Sequence, residues 1–200
     1  VVGAEALSRL TDQTDRSTCV VFADGAGAAV ITSAEPDEVT GFLGFELGAD
    51  GAGADQLLIP AGGSRMPVAM AEQPSDGYMR MNGAEVYRFA TRVMVTSAEE
   101  LLAACGASIG DVDLYVPHQA NKRIIDYAVG KLGIAPEKTV VNVDRYGNTS
   151  SGSIPLACRK LIGSPKLLDC WLEHNPKVAA AMIWEPAPGL QYTPLLAWPD

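Results

Sequence analysis

What the chain lacks already narrows its function. No apolar run approaches the roughly 18 to 20 residues needed to cross a bilayer, and the opening residues Val1 to Glu5 have neither the basic start nor the apolar core of a signal peptide. Basic residues are scarce: 15 Lys and Arg against 24 Asp and Glu give a net charge of -9, which argues against nucleic acid as the main partner, because neutralising phosphates needs a concentrated basic face. There is no C-x-x-C pair, and the chain holds only two histidines, so neither a zinc site nor a redox motif is supported and no metal is expected. The four cysteines, Cys19, Cys105, Cys158 and Cys170, stand far apart and read as small apolar residues or free thiols in a reducing compartment. An initiator Met is also missing: the chain starts at Val1 within a folded pattern, so 200 residues are expected to be part of a longer protein.

What is present is a globular composition, 48% hydrophobic and 20% charged, with mean hydropathy slightly above zero. Thr18 to Ala23 reads as a strand, Asp24 to Gly27 as a turn and Ala28 to Thr32 as a second strand. Gly41 to Leu47 reads as a further strand, followed by a Gly-rich turn, a short strand and a loop over Pro60 to Gly77. Val86, Phe89, Ala90, Val93, Ala98, Leu101 and Leu102 recur at helical spacing before a stop at Gly106. The rhythm then becomes strand (Val112 to Val116), helix (Gln119 to Leu132), strand (Thr139 to Val143), helix (Gly152 to Ile162), with a last strand at Val178 to Trp184 and an irregular Pro-rich end. Such alternation implies an α/β class with parallel strands and crossover helices.

Two segments carry the chemistry. Pro117-His118-Gln119-Ala120-Asn121 follows a predicted strand and precedes a helix, and so does Asp144-Arg145-Tyr146-Gly147-Asn148-Thr149-Ser150. In open α/β sheets the carboxyl ends of strands are where ligands bind, and adjacent parallel strands would bring His118 and Asn148 together. A histidine in this position is either a catalyst or a hydrogen-bonded structural residue, and an Asn-Thr-Ser loop either binds a ligand or simply caps a helix. The other histidine, His174, falls in an unpatterned turn and is expected to face solvent.

Beyond these two strings, Val2-Gly3-Ala4-Glu5-Ala6-Leu7-Ser8, Thr14-Asp15-Arg16-Ser17-Thr18-Cys19-Val20, Phe22-Ala23-Asp24-Gly25-Ala26-Gly27-Ala28 and Met81-Asn82-Gly83-Ala84-Glu85-Val86-Tyr87 occur in order. Together the six strings resemble β-ketoacyl-acyl-carrier-protein synthase III, an initiating condensing enzyme with the thiolase-like α/β fold, from residue 1 to about residue 162. The resemblance implies three parts: residues 1–40 as the end of the amino-terminal half, 41–162 as the carboxyl-terminal half with the His and Asn loops, and 163–200 as a divergent tail. In that family a cysteine takes an acyl group from coenzyme A. A His and an Asn then stabilise the enolate formed when malonyl carrier protein loses carbon dioxide. His118 and Asn148 match those two roles, whereas no cysteine here matches the nucleophile: Cys105 ends a helix, Cys19 is expected in a buried strand, Cys158 on the helix after the Asn loop, and Cys170 has no counterpart.

By position, the resemblance also implies that Arg16 stacks on the coenzyme A adenine and that Gly83 and Asn121 line the pantetheine pocket. Ala84 stands where the family often has a polar residue. Arg123, with Arg88, Lys122 and Arg92, is implied as a basic patch for the acidic acyl carrier protein, set against the alternative of ordinary solvated helix charge. Acyl-coenzyme A enters as substrate, with no permanently bound cofactor. A homodimer is implied for the full-length protein, in the cytoplasm or a plastid stroma, with no nucleic acid and no membrane partner. In the tail, Pro186 and Pro188 stand where the family has a Gly-rich loop. The expected activity is condensation of acetyl-coenzyme A, or a short acyl-coenzyme A, with malonyl carrier protein. Without the nucleophile this chain is expected to be inactive in condensation and, as an isolated half, prone to aggregate. Two alternatives stand beside it: a non-catalytic thiolase-fold binding or subunit module, and a starter-unit synthase of polyketide or quinolone type.

Overall fold

The computed structural model describes residues 1–31, 41–162, 179–183 and 193–198. The chain opens with β1 (Val2–Glu5) and β2 (Gly25–Ala28), an antiparallel pair, and continues through β3 (Gly41–Phe45), the short β4 (Leu57–Leu58) and β5 (Arg80–Met81), which pair with each other. The long helix α1 (Gly83–Ala104) leads to β6 (Leu114–Val116), then α2 (Lys122–Leu132), α3 (Val143–Tyr146) and α4 (Ser153–Ile162), and finally β7 (Ala179–Ile183) and β8 (Thr193–Trp198). A four-stranded mixed sheet runs in the order β3-β8-β7-β6, with β6 and β7 parallel and the other pairs antiparallel.

The side-chain alternation of β6 divides the core into layers, because successive strand residues point to opposite faces. Tyr115 faces a cluster built by α1 and α2, in which Ala90, Val93, Met94, Leu101, Ile124, Ala128 and Leu132 are buried. Leu114 and Val116 face a second cluster with Val140, Ile154 and Ala157 of the opposite layer. Of the α1 stripe that the spacing predicts, Ala90, Val93, Ala98, Leu101 and Leu102 are buried and Val86 and Phe89 are half-buried, while Met94, outside that reading, is buried as well. This helix is terminated by Gly106 at φ +66, with Ala107 N–H donating to the Leu102 carbonyl and Gly106 N–H to that of Ala103, a Schellman ending that needs a left-handed residue. Gly133 at φ +71 ends α2 by the same conformational freedom.

Four expectations from the sequence need correction. Thr18 to Ala23 is not a strand: it runs in turns to Val21, where the Asp15 side chain accepts from Ser17 N and Oγ and Cys19 N–H returns to the Asp15 carbonyl at 2.9 Å, and Phe22 makes only an isolated parallel bridge to Asn148. Cys19 therefore sits half-buried in a turn. The strand lies instead over Gly25 to Ala28, which reads as a turn because of glycines kept for packing. An added Cβ at Gly25 would lie 2.7 Å from Thr149 Cγ2, and one at Gly27 would lie 2.5 Å from Pro155 Cβ. Third, Thr139 makes only an isolated parallel bridge to Tyr115 rather than a full strand. Last, the chain end contains β8 where sequence pattern suggests irregular structure. Most of the remaining tail, including Cys170, His174, Pro186, Pro188 and Gly189 to Tyr192, lies outside the described residues.

The β1/β2 pair thus lies against the Asn148 loop and α4 at glycine distance. Gly25→Ala should destabilise the protein by about 1 to 3 kcal/mol, the usual cost of overpacking, whereas Gly53→Ala, with nothing within 4 Å of its added methyl, should stay within about 0.5 kcal/mol of the parent. Chemical denaturation of the two variants side by side measures the difference.

Candidate active site

A cleft of about 520 Å³ is lined by Val21, Phe22, Leu57, Met81, Gly83, Ala84, Val86, Tyr87, Arg88, Ala120, Asn121, Arg123, Ile124 and Asn148. It forms where the amino-terminal ends of α1 and α2 meet the turn at 21–22 and the Asn148 loop. The volume is within the usual range of roughly 300 to 1,000 Å³ for small-molecule sites.

Asn148 is held on both sides of its backbone: its N–H donates to the Val21 carbonyl at 3.1 Å and its own carbonyl accepts from Ala23 N–H at 2.8 Å. Its side-chain Oδ1 accepts the Ser150 N–H at 2.9 Å. A backbone N–H can only donate, so the amide orientation is fixed by chemistry and Nδ2 is the end left to donate elsewhere. Ser150 achieves this with φ +50, the one described residue other than glycine in the left-handed region.

His118 is 1% exposed, and its Nδ1 lies 2.6 Å from Ser153 Oγ, the first residue of α4. Burial pushes its pKa down from 6.5 to about 3, because desolvation penalises the charged imidazolium. The ring is therefore neutral at physiological pH and carries one N–H donor.

Next to His118 in the chain is Gln119, fully buried and fully paired. Its Nε2 donates to the Pro117 carbonyl at 2.8 Å and the Val140 carbonyl at 3.0 Å; its Oε1 accepts Asn142 N–H at 2.8 Å and Val143 N–H at 3.2 Å. This side chain ties the loop before α2 to the segment that enters α3. Sequence reasoning passed over Gln119 and Ser153 as functional supports. Their signal was position: a Gln inside a predicted apolar helix start, and a Ser at the start of the helix after the Asn loop.

The other predicted site residues divide. Gly83, at the start of α1, and Asn121 both line the cleft. Asn121 also caps α2, its Oδ1 accepting Arg123 N–H at 2.8 Å. Ala84 lines the cleft without a polar group to offer. Arg123 is at the mouth with its guanidinium 5.5 Å from the Tyr87 ring centroid, and Arg88 is beside it, paired to Glu85 at 3.0 Å. Lys122 points its ammonium to both oxygens of Asp126 at 2.7 Å, and Arg92 pairs with Asp50 at 3.8 Å; neither lines the cleft. Arg16 is exposed in the turn preceding Val21 and lies outside the lining. Nor do the described cysteines line it: Cys105 ends α1 with its Sγ 2.7 Å from where a Gly44 Cβ would be, and burial raises the Cys158 thiol pKa.

The unfolded chain takes up a proton on this histidine near pH 6.5, while the folded ring stays neutral to about 3. The His118 contribution to stability is therefore complete above that window and is lost as the pH falls through it. In an imidazole NMR titration, the signal that disappears in His118→Ala should show no protonation shift between pH 8 and roughly pH 4; a midpoint near the ordinary 6.5 would show the ring to be solvated.

Residues 1–51 match the family model of 3-oxoacyl-[acyl-carrier-protein] synthase III, and residues 102–169 match the model of that family's C-terminal part. The chain is 48% identical over 186 residues to β-ketoacyl-[acyl-carrier-protein] synthase III of Symbiobacterium thermophilum, covering 92% of this chain and 56% of the relative. It is also 48% identical over 168 residues to the same enzyme of Desulfitobacterium hafniense, covering 84% and 50%. The chain thus spans about half the length of the curated relatives it matches. Among solved structures, synthase III of Thermus thermophilus superposes with a TM-score of 0.84 at 39% identity, over all of this chain and 58% of that one. The priming β-ketosynthase of the R1128 polyketide pathway gives 0.81 at 34% identity, over 100% and 57%. With both family models matched in order and the fold shared over the whole chain, this protein belongs to the thiolase-like 3-oxoacyl-[acyl-carrier-protein] synthase III family.

Proposed function

We propose that this chain supplies the enolate-stabilising part of a synthase III site, for condensation of acetyl-coenzyme A or another short acyl-coenzyme A with malonyl-acyl carrier protein. The observation that carries the reading is the state of Asn148. With Oδ1 occupied by the Ser150 N–H, what the amide offers at the cleft is a donor. His118, neutral and anchored through Nδ1, belongs to the loop that supplies Ala120 and Asn121 to the same cleft.

In the proposed reaction the malonyl carboxylate leaves as carbon dioxide, and the electron pair of the broken C–C bond moves into the thioester, giving an enolate. The N–H groups of His118 and Asn148 donate to its oxygen, each worth several kcal/mol in a site that excludes water, roughly 3 by comparison with oxyanion-hole donors. The enolate carbon attacks an acyl thioester on a cysteine, forming the new C–C bond and releasing the thiolate. The product is acetoacetyl-acyl carrier protein when the starter is acetyl. The acyl-carrying thiol is proposed to come from outside these residues. Arg16 is proposed to meet the coenzyme A adenine, with Gly83 and Asn121 beside the pantetheine arm, and Arg123 and Arg88 to meet the acidic carrier protein. Lys122 contributes less in this reading, since Asp126 already neutralises it.

Release of carbon dioxide from malonyl-acyl carrier protein tests the core of the proposal. His118→Ala and Asn148→Ala should each lower the rate by about 100- to 1,000-fold, and unchanged rates in both variants would refute it. For the docking patch, Arg123→Glu should weaken carrier-protein binding, with the loss largest at low ionic strength and fading as salt screens the charges. Titration calorimetry at two salt concentrations reads both effects, while Lys122→Glu should do less.

A further inference from the structure

We infer that Glu5 is a positioning residue for Asn148, acting through Ser150 and Ser151; this rests on the proposed role of Asn148. Glu5 ends β1, and its Oε1 accepts from Ser151 Oγ at 2.6 Å and from Ser150 Oγ at 3.1 Å, across about 145 residues of sequence. One of those serines, Ser150, carries the backbone N–H that holds the Asn148 side chain, and Ser151 is its neighbour. Asn148's own backbone is fixed by Val21 and Ala23, but its side-chain orientation depends on the Ser150 N–H that holds Oδ1. That N–H is aimed by a left-handed φ of +50, which a serine does not adopt without support from its surroundings.

Glu5 supplies that support with both hydroxyls on a single carboxylate oxygen. The same pair of strands presses closely on the loop: Gly3 has no room for a Cβ because the Ser151 carbonyl oxygen occupies the space, and a Cβ on Gly152 would lie 2.9 Å from the carbonyl oxygen of Gly25, the residue paired with Glu5. Removing the carboxylate leaves Ser150 free to relax toward negative φ, turning its N–H away from Oδ1. The Asn148 amide then rotates between two orientations, only one of which presents Nδ2 to the enolate. A carboxylate on β1 thus sets the geometry of a donor on the loop before α4.

The test combines kinetics with a readout that needs no turnover. Decarboxylation of malonyl-acyl carrier protein by Glu5→Ala should show kcat about 10- to 100-fold lower, in line with the cost of a donor misplaced by around 1 Å, and KM within about twofold of the parent. Glu5→Gln keeps an acceptor oxygen and should recover most of the rate. In an Asn148→Ala background, Glu5→Ala should cost nothing further, because the group it positions is gone. Independently, the side-chain amide NMR signal of Asn148, assigned by its loss in Asn148→Ala, should broaden or shift in Glu5→Ala. Should Glu5→Ala fold poorly, Glu5→Ala with Ser150→Gly is the second variant, since glycine takes positive φ without support, and it should restore both rate and amide signal. An unchanged amide signal with unchanged kcat, or an equal loss in both backgrounds, overturns the inference. Insensitivity of the rate to Asn148→Ala itself would instead overturn the proposed function, leaving the amide signal to decide the positioning claim.

Discussion

The buried amide of Gln119 is the constraint around which the site is arranged. A primary amide removed from water must find partners for two donors and for its carbonyl oxygen, or cost roughly 1 to 3 kcal/mol for each group left unmade. Here every one is met by backbone, with Pro117 and Val140 accepting and Asn142 and Val143 donating. Because the partners come from both sides of α2, this one side chain ties the loop after β6 to the segment entering α3. Three of the groups it satisfies, the Val140 carbonyl and the Asn142 and Val143 N–H, lie in 139–143, the segment that makes only a single bridge, at Thr139. His118 inherits its place from this arrangement. With Gln119 clamped, the preceding ring is confined beside Ser153, whose Oγ meets both His118 Nδ1 and, at 3.4 Å, Gln119 N–H.

The Asn148 loop is rigid for a different reason. It is squeezed between α4 and a pair of strands whose inward positions, Glu5 apart, are glycine, so that backbone approaches backbone where side chains would normally intervene. Gly3, Gly25 and Gly27 each face the loop or α4 at distances no Cβ tolerates. Such close approach limits how far the loop as a whole can shift, while the positive φ of Ser150 depends on the Glu5 carboxylate that holds its hydroxyl, since strain of this kind persists only where the surroundings over-determine it. Rigidity of this sort suits oxyanion stabilisation, since donors fixed before the charge develops require no reorganisation when it does.

These features explain which parts were legible in sequence. The α1 stripe, the α2 and α4 helices and the placement of His118 on the loop after β6 could be read directly, because hydrophobic period and polar loop composition are local properties, whereas Asn148 lies on a loop that follows the short helix α3 rather than a strand. The β1/β2 pair could not be read this way. Gly25-Ala26-Gly27 has turn composition, and only the presence of Thr149 and Pro155 across the interface makes those glycines strand residues. In the same way Thr18 to Ala23 has the β-branched and apolar content of a strand, yet Asp15 and Ser17 close it into turns by side-chain bonds that pattern does not register. Gln119 was hidden by its own success: a polar residue among apolar ones reads as one more surface position of a helix until its four backbone partners are seen.

Charge at the cleft completes the argument. A protein of net charge -9 repels an acidic carrier at long range, so any attraction must be local and must act within about one Debye length, near 8 Å at physiological ionic strength. Arg88 and Arg123 are the two cations in the cleft lining, but they are not equivalent. Arg88 is already engaged by Glu85. Among the described residues Arg123 has no carboxylate within ion-pair distance, and it rests against the face of Tyr87. A guanidinium held over a ring loses little freedom on meeting an anion, whereas one that must first leave a carboxylate gains less. Arg123 also follows Asn121, whose side chain caps α2 through the Arg123 N–H. The residue that would greet an anionic partner at the mouth therefore has its backbone held by the residue that lines the wall behind it, while its guanidinium rests on Tyr87 of α1.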